Sequence, residues 1–165
     1  MRAGVALGSN LGERLANLRN ARKEIATLGG ALPPLRCSAI YETEPVNCEK
    51  GALKFFNAVI EFGYSGRPEE LRRELAGIER VLGRSAAHER NVSRTIDLDL
   101  LYFGDLVMET AELRLPHPGI VEREFVLRPL ADIRPDLVLP EQTETISVLL
   151  QRLPMTGVVR LDIEW

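Results

Sequence analysis

Apolar residues recur every three or four positions between residues 11 and 28, which is the spacing of an amphipathic α-helix. The apolar positions are Leu11, Leu15, Leu18, Ala21, Ile25 and Leu28. A pair of glycines at residues 29–30 then supplies a stop signal. Asn10, with Glu13 three residues later, matches a capping box, so we expect Asn10 to cap this helix. The short apolar run at residues 5–7 predicts a buried strand before it.

Residues 55–62 alternate in character, as expected of a strand with one buried face. The even-numbered positions are apolar, whereas the odd-numbered positions form a mixed face that includes the polar Asn57. Residues 36–41 also suit a strand, and residues 42–54 carry Pro, Asn and Gly without periodicity. We expect this last segment to form a long loop, and long loops in compact domains are often functional.

The second half of the chain repeats the helix and strand signals. Pro68, followed by two glutamates, starts an apolar stripe that Gly83 ends, so we expect a second helix there. Residues 95–103 form the strongest predicted strand. The resulting order of strand, helix, strand, strand, helix, strand predicts an α+β fold with a ferredoxin-like βαββαβ core, in which helices pack on an antiparallel sheet. A short hairpin and helical segments near residues 122–131 and 144–153 would form a C-terminal extension.

The composition is that of an ordinary globular protein. The chain has 165 residues, of which 45% are apolar and 27% are charged, so we expect one domain over residues 1–165. A net charge of −3 argues against a main role in binding nucleic acid. The chain has neither a signal-peptide pattern nor an apolar stretch of membrane-helix length, so we expect a cytoplasmic protein without membrane contact. Cys37 and Cys48 are predicted to be reduced structural thiols.

Candidate chemistry begins with Asp97 and Asp99 in the strongest predicted strand. Alternation along a strand places both carboxylates on one face, with Cα atoms about 6.6 Å apart. Such like charges repel, and a hard divalent cation between them makes the arrangement favourable, which indicates Mg²⁺ with a nucleotide. The alternative is a solvated strand face that arginines neutralise.

Positive and aromatic groups flank this acidic pair. Arg84, Arg90 and Arg94 precede it and have guanidinium groups suited to phosphate oxygens. His117, Arg123 and Phe125 follow it, although a lone histidine is more often structural and a phenylalanine is more often part of the core. Arginines and a metal site together indicate phosphoryl transfer, whereas pairing of the arginines with nearby glutamates would be a purely structural role.

Five segments, taken together, resemble the 6-hydroxymethyl-7,8-dihydropterin pyrophosphokinases over nearly the whole chain. The segments cover residues 6–12, 38–45, 56–58, 94–101 and 115–130. This chain departs from the family pattern in its arginine loop, where Ala86 replaces a second arginine and Val92-Ser93 replaces a small residue and a proline.

The resemblance implies a transfer of pyrophosphate from ATP to the hydroxymethyl group of the reduced pterin, releasing AMP. Asp97 and Asp99 would hold two Mg²⁺ ions and, with Arg84 and Arg94, would form the catalytic set. The implied ATP contacts are Glu79, Arg84, Arg90, Arg94, Leu100, His117 and Arg123. The implied pterin contacts are Thr43, Pro45, Val46, Phe55, Asn57 and Phe125, with the pterin ring stacked between the two phenylalanines. We expect a monomer.

Two other functions are compatible with the residues alone. A Mg²⁺-dependent nucleotidyl transferase would use the same acidic pair on a different acceptor. A ferredoxin-like RNA-binding module shares the element order and carries aromatic residues on its strands. The residues do not identify a general base.

Overall fold

The computed structural model describes residues 1–45, 53–83 and 93–165. In chain order its elements are β1 (Arg2–Ser9), α1 (Arg14–Ala26), β2 (Ala31–Cys37), β3 (Ile40–Thr43), β4 (Phe55–Tyr64), α2 (Pro68–Val81), β5 (Asp97–Phe103), β6 (Met108–Glu109), β7 (Arg114–Leu115), α3 (Glu124–Ile133), α4 (Ile146–Arg152) and β8 (Val159–Leu161). No helix within these three ranges is both long and apolar enough to cross a lipid bilayer.

The main sheet has the strand order β5-β1-β4-β3-β8, and β2 pairs with the remaining length of β4. All of these pairings are antiparallel. The predicted α+β class, the antiparallel sheet and the ferredoxin-like element order are therefore confirmed. The long strand β4 organises the sheet because it pairs with β1 on one side and with both β2 and β3 on the other.

The single strand predicted at residues 36–41 is wrong, because the structure divides this segment into β2 and β3. Cys37 pairs with Ile60 and Tyr41 pairs with Asn57, so residues 38–40 lie opposite residues 58–59 and one extra residue bulges out. The backbone N–H of Ser38 donates to the Val59 carbonyl, and the Val59 N–H donates to Ser38 Oγ, each at 2.9 Å. The serine side chain thus replaces a ladder bond that the bulge interrupts.

The two faces of the sheet have different coverings. On the helix face, which includes Val5, Leu7 and Leu98, the apolar sides of α1 and α2 form the larger core cluster. On the opposite face, α3 and α4 pack over the part of the sheet around Val59 and Leu101. This second face continues past the α3 contact to Gly8, Asn57, Asp97 and Asp99. We call this part, which the described helices leave uncovered, the site face.

The predicted capping box of the first helix is wrong. Helix α1 begins at Arg14 with Glu13 as its N-cap, and no side chain caps it. Asn10 is fully buried and uses its amide to bind other segments of the chain. The capping pattern failed because Asn10 belongs to the end of the β1 segment, where longer-range partners satisfy its amide.

The predicted C-terminal extension is present and includes the β6–β7 hairpin, α3 and α4. The structure adds β8, which pairs with the edge strand β3, and the indole N–H of Trp165 donates to the Ser38 carbonyl at 2.8 Å. The sequence analysis missed β8, although apolar and polar residues alternate from Val159 to Trp165, which is the pattern of a strand. Cys37 is a free thiol whose pKa is raised by burial, and Cys48 lies outside the described residues.

Candidate active site

Three neighbouring strands bring polar residues together on the site face. In the antiparallel register, Gly8 of β1 lies opposite Asn57 of β4 on one side and opposite Asp97 of β5 on the other. Adjacent strands are about 4.8 Å apart, so the Asn57 and Asp97 backbones are separated by roughly 10 Å. The site face therefore has an amide end and an acidic end, with a glycine between them.

The acidic end consists of Asp97 and Asp99, which share the site face as predicted. Asp99 lies opposite Ala6 in the next strand. Burial raises the pKa of Asp99, and the negative charge of Asp97 adds to this, while His117, Arg123 and Arg94 act in the opposite direction. Two carboxylates in such an environment become more favourable when a cation binds between them.

Arg94 is an immediate partner of the acidic pair. Its Nη1 lies 2.7 Å from Asp97 Oδ2, in a salt bridge between side chains that are each about three quarters buried, with 22% and 25% exposure. The structural alternative for the arginines is therefore partly realised here, because Arg94 neutralises Asp97. The same geometry keeps a guanidinium beside the acidic end, where it can also bind a phosphate oxygen.

These donors are suited to Mg²⁺, since carboxylate oxygens are its preferred protein ligands. Within the described ranges, no group of three or more potential ligand residues surrounds a common point. A cation held by Asp97 and Asp99 would therefore need further oxygen ligands from phosphate groups or water, which is typical of nucleotide-bound magnesium.

Glu79 of α2 lies behind the acidic strand. The carboxylate is almost fully buried, and Oε1 accepts a hydrogen bond from the Leu98 N–H at 2.8 Å. Glu79 thus holds the β5 backbone at the position between the two aspartates. The sequence prediction placed Glu79 along the nucleotide, and the described contact gives it a positioning role at the outer edge of β5.

Leu100 has its side chain in the core on the helix face, away from the aspartates. The Leu98 N–H points outward from the sheet to Glu79, and alternate residues of a strand present their backbone groups to the same edge. The N–H and C=O of Leu100 therefore point toward the outer edge of β5. Any contact between Leu100 and a nucleotide would be made by this backbone and not by the side chain.

His117 lies beside the acidic end with a defined orientation. Its backbone N–H donates to the Leu101 carbonyl at 2.7 Å, and its Nδ1 accepts from the Gly119 N–H at 3.1 Å. Burial lowers the pKa of His117, although the charge of Asp99 opposes this shift. Because Nδ1 is an acceptor, the neutral ring carries its proton on Nε2, which can donate to a phosphate oxygen.

Arg123 and Phe125 lie at the start of α3. The Arg123 guanidinium carbon is 5.9 Å from the centre of the Phe125 ring, and Phe125 is partly buried against the core cluster beneath α3. The Arg123 side chain also crosses Gly119 closely, since a Cβ atom there would lie 2.7 Å from the guanidinium carbon. Phe125 therefore packs partly against the core, as the alternative interpretation of this residue expected, and part of its side chain remains exposed.

The amide end is formed by Asn57 with two neighbours. Asn57 Nδ2 donates to Thr43 Oγ1 at 2.8 Å, and both residues are buried. Phe55 shares the face of Asn57 and is partly exposed, as is Pro45 at the end of the β3 segment. The hydrogen bond from Nδ2 orients the amide so that its oxygen lies toward Gly8, because a Cβ atom at Gly8 would be 3.4 Å from Oδ1.

Three predicted site residues, Arg84, Arg90 and Val46, lie outside the described residues. Ala86 and Val92, which depart from the family pattern, lie there as well. Of the described site residues, Asp97, Asp99, Arg94, His117 and Arg123 gather at the acidic end. Thr43, Phe55 and Asn57 gather at the amide end.

A family model described as 7,8-dihydro-6-hydroxymethylpterin-pyrophosphokinase (HPPK) matches residues 4–135. The chain belongs to this family. The 2-amino-4-hydroxy-6-hydroxymethyldihydropteridine pyrophosphokinase of Synechocystis sp. is 38% identical over 156 residues, covering 94% of this chain and 78% of that protein. The protein of the same name from Bacillus subtilis is 44% identical over 133 residues, covering 79% and 77% of the two chains.

The fold has solved counterparts. A crystal structure of wild-type Plasmodium falciparum HPPK-DHPS with pteroate aligns with a TM-score of 0.70 at 14% identity. The alignment covers 92% of this chain and 42% of that one, so the chain spans less than half of the solved protein. At this identity the likeness supports the fold, and the family assignment depends on the sequence matches.

Sequence reasoning missed two residues at the site, Gly8 and Asn10. Gly8 connects the amide end to the acidic end, and Asn10 binds the backbone that leads into β5. A signal for Gly8 was available, because it directly follows the strand predicted at residues 5–7, and a glycine in a strand often marks a close approach of a ligand or another backbone. The signal at Asn10 was present but was interpreted as a helix cap.

Proposed function

We propose that this chain transfers pyrophosphate from ATP to the hydroxymethyl group of 6-hydroxymethyl-7,8-dihydropterin, giving the pterin diphosphate and AMP. As a member of its family, the chain is a pyrophosphokinase of folate biosynthesis. The structural observation that carries the proposal is the pairing of Gly8 with both Asn57 and Asp97. In this register the backbone of Asn57, whose side chain can bind a heterocycle, is roughly 10 Å from that of Asp97, whose side chain can bind a metal nucleotide.

The amide end would bind the pterin. Asn57 has an amide oxygen and an amide nitrogen for the hydrogen-bonding edge of the heterocycle, and Thr43 fixes the orientation of the amide. Phe55 and Phe125 would stack on the two sides of the ring, with Pro45 and Val46 at its edge. An aromatic stack and a single polar edge are the usual elements of a small heterocycle site.

The acidic end would bind ATP through two Mg²⁺ ions held by Asp97 and Asp99. Magnesium bound there would neutralise charge on the triphosphate oxygens. Arg94, His117 and Arg123 would hold the phosphates by hydrogen bonds, together with Arg84 and Arg90. Glu79 and the backbone of Leu100 would lie along the nucleotide at the outer edge of β5, where Glu79 already holds the Leu98 N–H.

The transfer would proceed by an in-line displacement. The pterin hydroxyl loses its proton to solvent and its oxygen forms a bond to the β-phosphorus. The bond from this phosphorus to the oxygen of the α-phosphate breaks, so AMP leaves. The contribution of the protein is to hold both substrates in line and to stabilise charge with fixed guanidinium groups. We further propose that the chain acts as a single-domain monomer in the cytoplasm.

The decisive experiment is a product assay with the full chain, ATP, Mg²⁺ and reduced hydroxymethylpterin. We expect AMP and pterin diphosphate in equal amounts, with no AMP when the pterin or Mg²⁺ is omitted. Release of pyrophosphate in place of AMP would indicate a nucleotidyl transferase and would contradict the proposal. Absence of any turnover, together with retention of RNA in a separate binding assay, would indicate the binding module instead.

A further inference from the structure

Gly8 is a strand glycine that the protein itself does not require. Its φ is not in the left-handed region, in contrast to Gly12, Gly83, Gly104 and Gly157. A Cβ atom at Gly8 would lie 3.4 Å from Asn57 Oδ1, 3.9 Å from Phe55 Cδ1 and 4.0 Å from Asp97 Cβ. These are ordinary van der Waals distances, so the fold has room for a methyl group at this position.

A comparison within the same strand shows what a structurally required glycine looks like. A Cβ atom at Gly4 would lie 2.2 Å from the Tyr102 ring, because this ring packs directly on the β1 backbone. Glycine inside a strand weakens it by roughly 0.5–1 kcal/mol relative to alanine. At Gly4 the packed ring accounts for the glycine, whereas at Gly8 no group of the described protein occupies the corresponding space.

Among the described residues, none fills the space above Gly8 on the site face. Gly8 retains partial exposure, and the three atoms nearest to its missing Cβ belong to Phe55, Asn57 and Asp97. These residues are the ring contact and the polar edge proposed for the pterin and one of the proposed metal ligands. A substituent at Gly8 would therefore project between the two proposed substrate sites.

We propose that Gly8 is a pterin-positioning residue whose bare backbone contacts the edge of the pterin ring between Asn57 and Asp97, while Phe55 and Phe125 stack on the two faces of the ring. This inference rests on the proposed function. Carbon atoms pack at about 3.5–4.0 Å, so a methyl group at Gly8 would displace a ring whose edge contacts the backbone there. Hydrogen bonds need donor–acceptor distances of about 2.7–3.2 Å, so a displaced ring loses its bonds to Asn57.

The test is the substitution Gly8→Ala, with Gly77→Ala as the matched control. Gly77 lies in α2, and a Cβ atom there would meet only the end of the Arg80 side chain at 4.0 Å. For both variants, thermal unfolding is measured first. Calorimetry then measures the binding of reduced hydroxymethylpterin in the presence of a non-hydrolysable Mg²⁺-ATP analogue, and the binding of that analogue alone.

We expect both variants to unfold at or above the wild-type temperature. Gly8→Ala should bind the pterin at least about tenfold more weakly, with affinity for the ATP analogue within about twofold of wild type, and Gly77→Ala should bind both ligands normally. Normal pterin binding by Gly8→Ala, equal loss of both ligands, or failure of Gly8→Ala to fold would each overturn the inference. Failure of the wild-type protein to bind the pterin would instead refute the proposed function.

Discussion

Asn10 holds both backbone polar groups of Arg94. The Arg94 N–H donates to Asn10 Oδ1 at 2.7 Å, and the Arg94 carbonyl accepts from the Asn10 N–H at 3.1 Å. The amide nitrogen of Asn10 donates at 3.3 Å to Ser93 Oγ and at 3.3 Å to the Leu53 carbonyl. One buried side chain thus joins the end of β1 to the segments that lead into β4 and β5.

We expect Asn10→Ala to destabilise the protein by about 1–3 kcal/mol, because it leaves the partly buried Arg94 N–H without its acceptor. Turnover should fall as well, since the Arg94 guanidinium reaches Asp97 from this backbone. Asn10→Asp keeps an acceptor for Arg94 and loses the donors to Ser93 and Leu53, so its effect on Arg94 should be milder. Urea denaturation and steady-state kinetics measure both effects, and wild-type stability of Asn10→Ala would refute the bridging role.

We expect Asp97→Asn or Asp99→Asn to abolish Mg²⁺-dependent turnover while leaving the fold intact. Each removes a proposed metal ligand. In the absence of metal, Asp99→Asn relieves the repulsion between the two carboxylates and should not lower the unfolding temperature, whereas Asp97→Asn also loses the salt bridge to Arg94 and should lower it. The matched control is Asp105→Asn, because Asp105 is an exposed carboxylate just beyond the opposite end of β5. Near-normal rates at saturating Mg²⁺ in both site variants would contradict the metal assignment.

We expect Asn57→Ala to weaken pterin binding much more than ATP binding, by about 1–3 kcal/mol for each hydrogen-bonding group left unsatisfied. Thr43→Val should produce part of the same loss, because it removes the acceptor that orients Asn57 Nδ2. Calorimetric titration of each variant with both ligands provides the comparison. An equal loss for the two ligands would show that Asn57 is structural and that the pterin binds elsewhere.

The final prediction concerns Glu61, which lies on the same strand as Asn57 and is fully buried. Arg2 and Arg134 pair with its carboxylate, and the Tyr102 hydroxyl donates to it at 2.6 Å. Burial alone would raise the pKa of Glu61, but hydrogen bonds from Tyr102 and Arg2 and the charges of Arg134 and Arg2 lower it below its usual value.

Because the folded-state pKa is lowered, Glu61 contributes stability above its unfolded pKa of about 4.3, and this contribution is lost as the pH falls through the folded value. Glu61→Gln should cost about 3–5 kcal/mol at pH 7, as expected when a buried ion pair loses one partner. The difference in unfolding free energy between the wild-type protein and Glu61→Gln should become smaller below pH 4, as measured by urea denaturation across the pH range. A constant difference between the two proteins at all pH values would contradict this linkage.

Local periodicity in the sequence was sufficient to predict much of the secondary structure of this protein. The positions of α1 and α2 follow from apolar spacing near 3.6 residues, and the shared face of Asp97 and Asp99 follows from the two-residue period of a strand. These relationships depend only on neighbouring residues, so the sequence was sufficient to predict them. The family resemblance added the roles of residues whose patterns alone were ambiguous.

Long-range strand pairing decided what the local patterns could not. Asn10 matches a helix cap locally, but its partners are Leu53, Ser93 and Arg94, which only tertiary folding brings beside it. The position of Gly8 depends on tertiary folding in the same way, because the register of β1 with both β4 and β5 places it between Asn57 and Asp97. Register depends on the packing of the whole sheet, so the position of Gly8 between these two residues is a property of the tertiary structure.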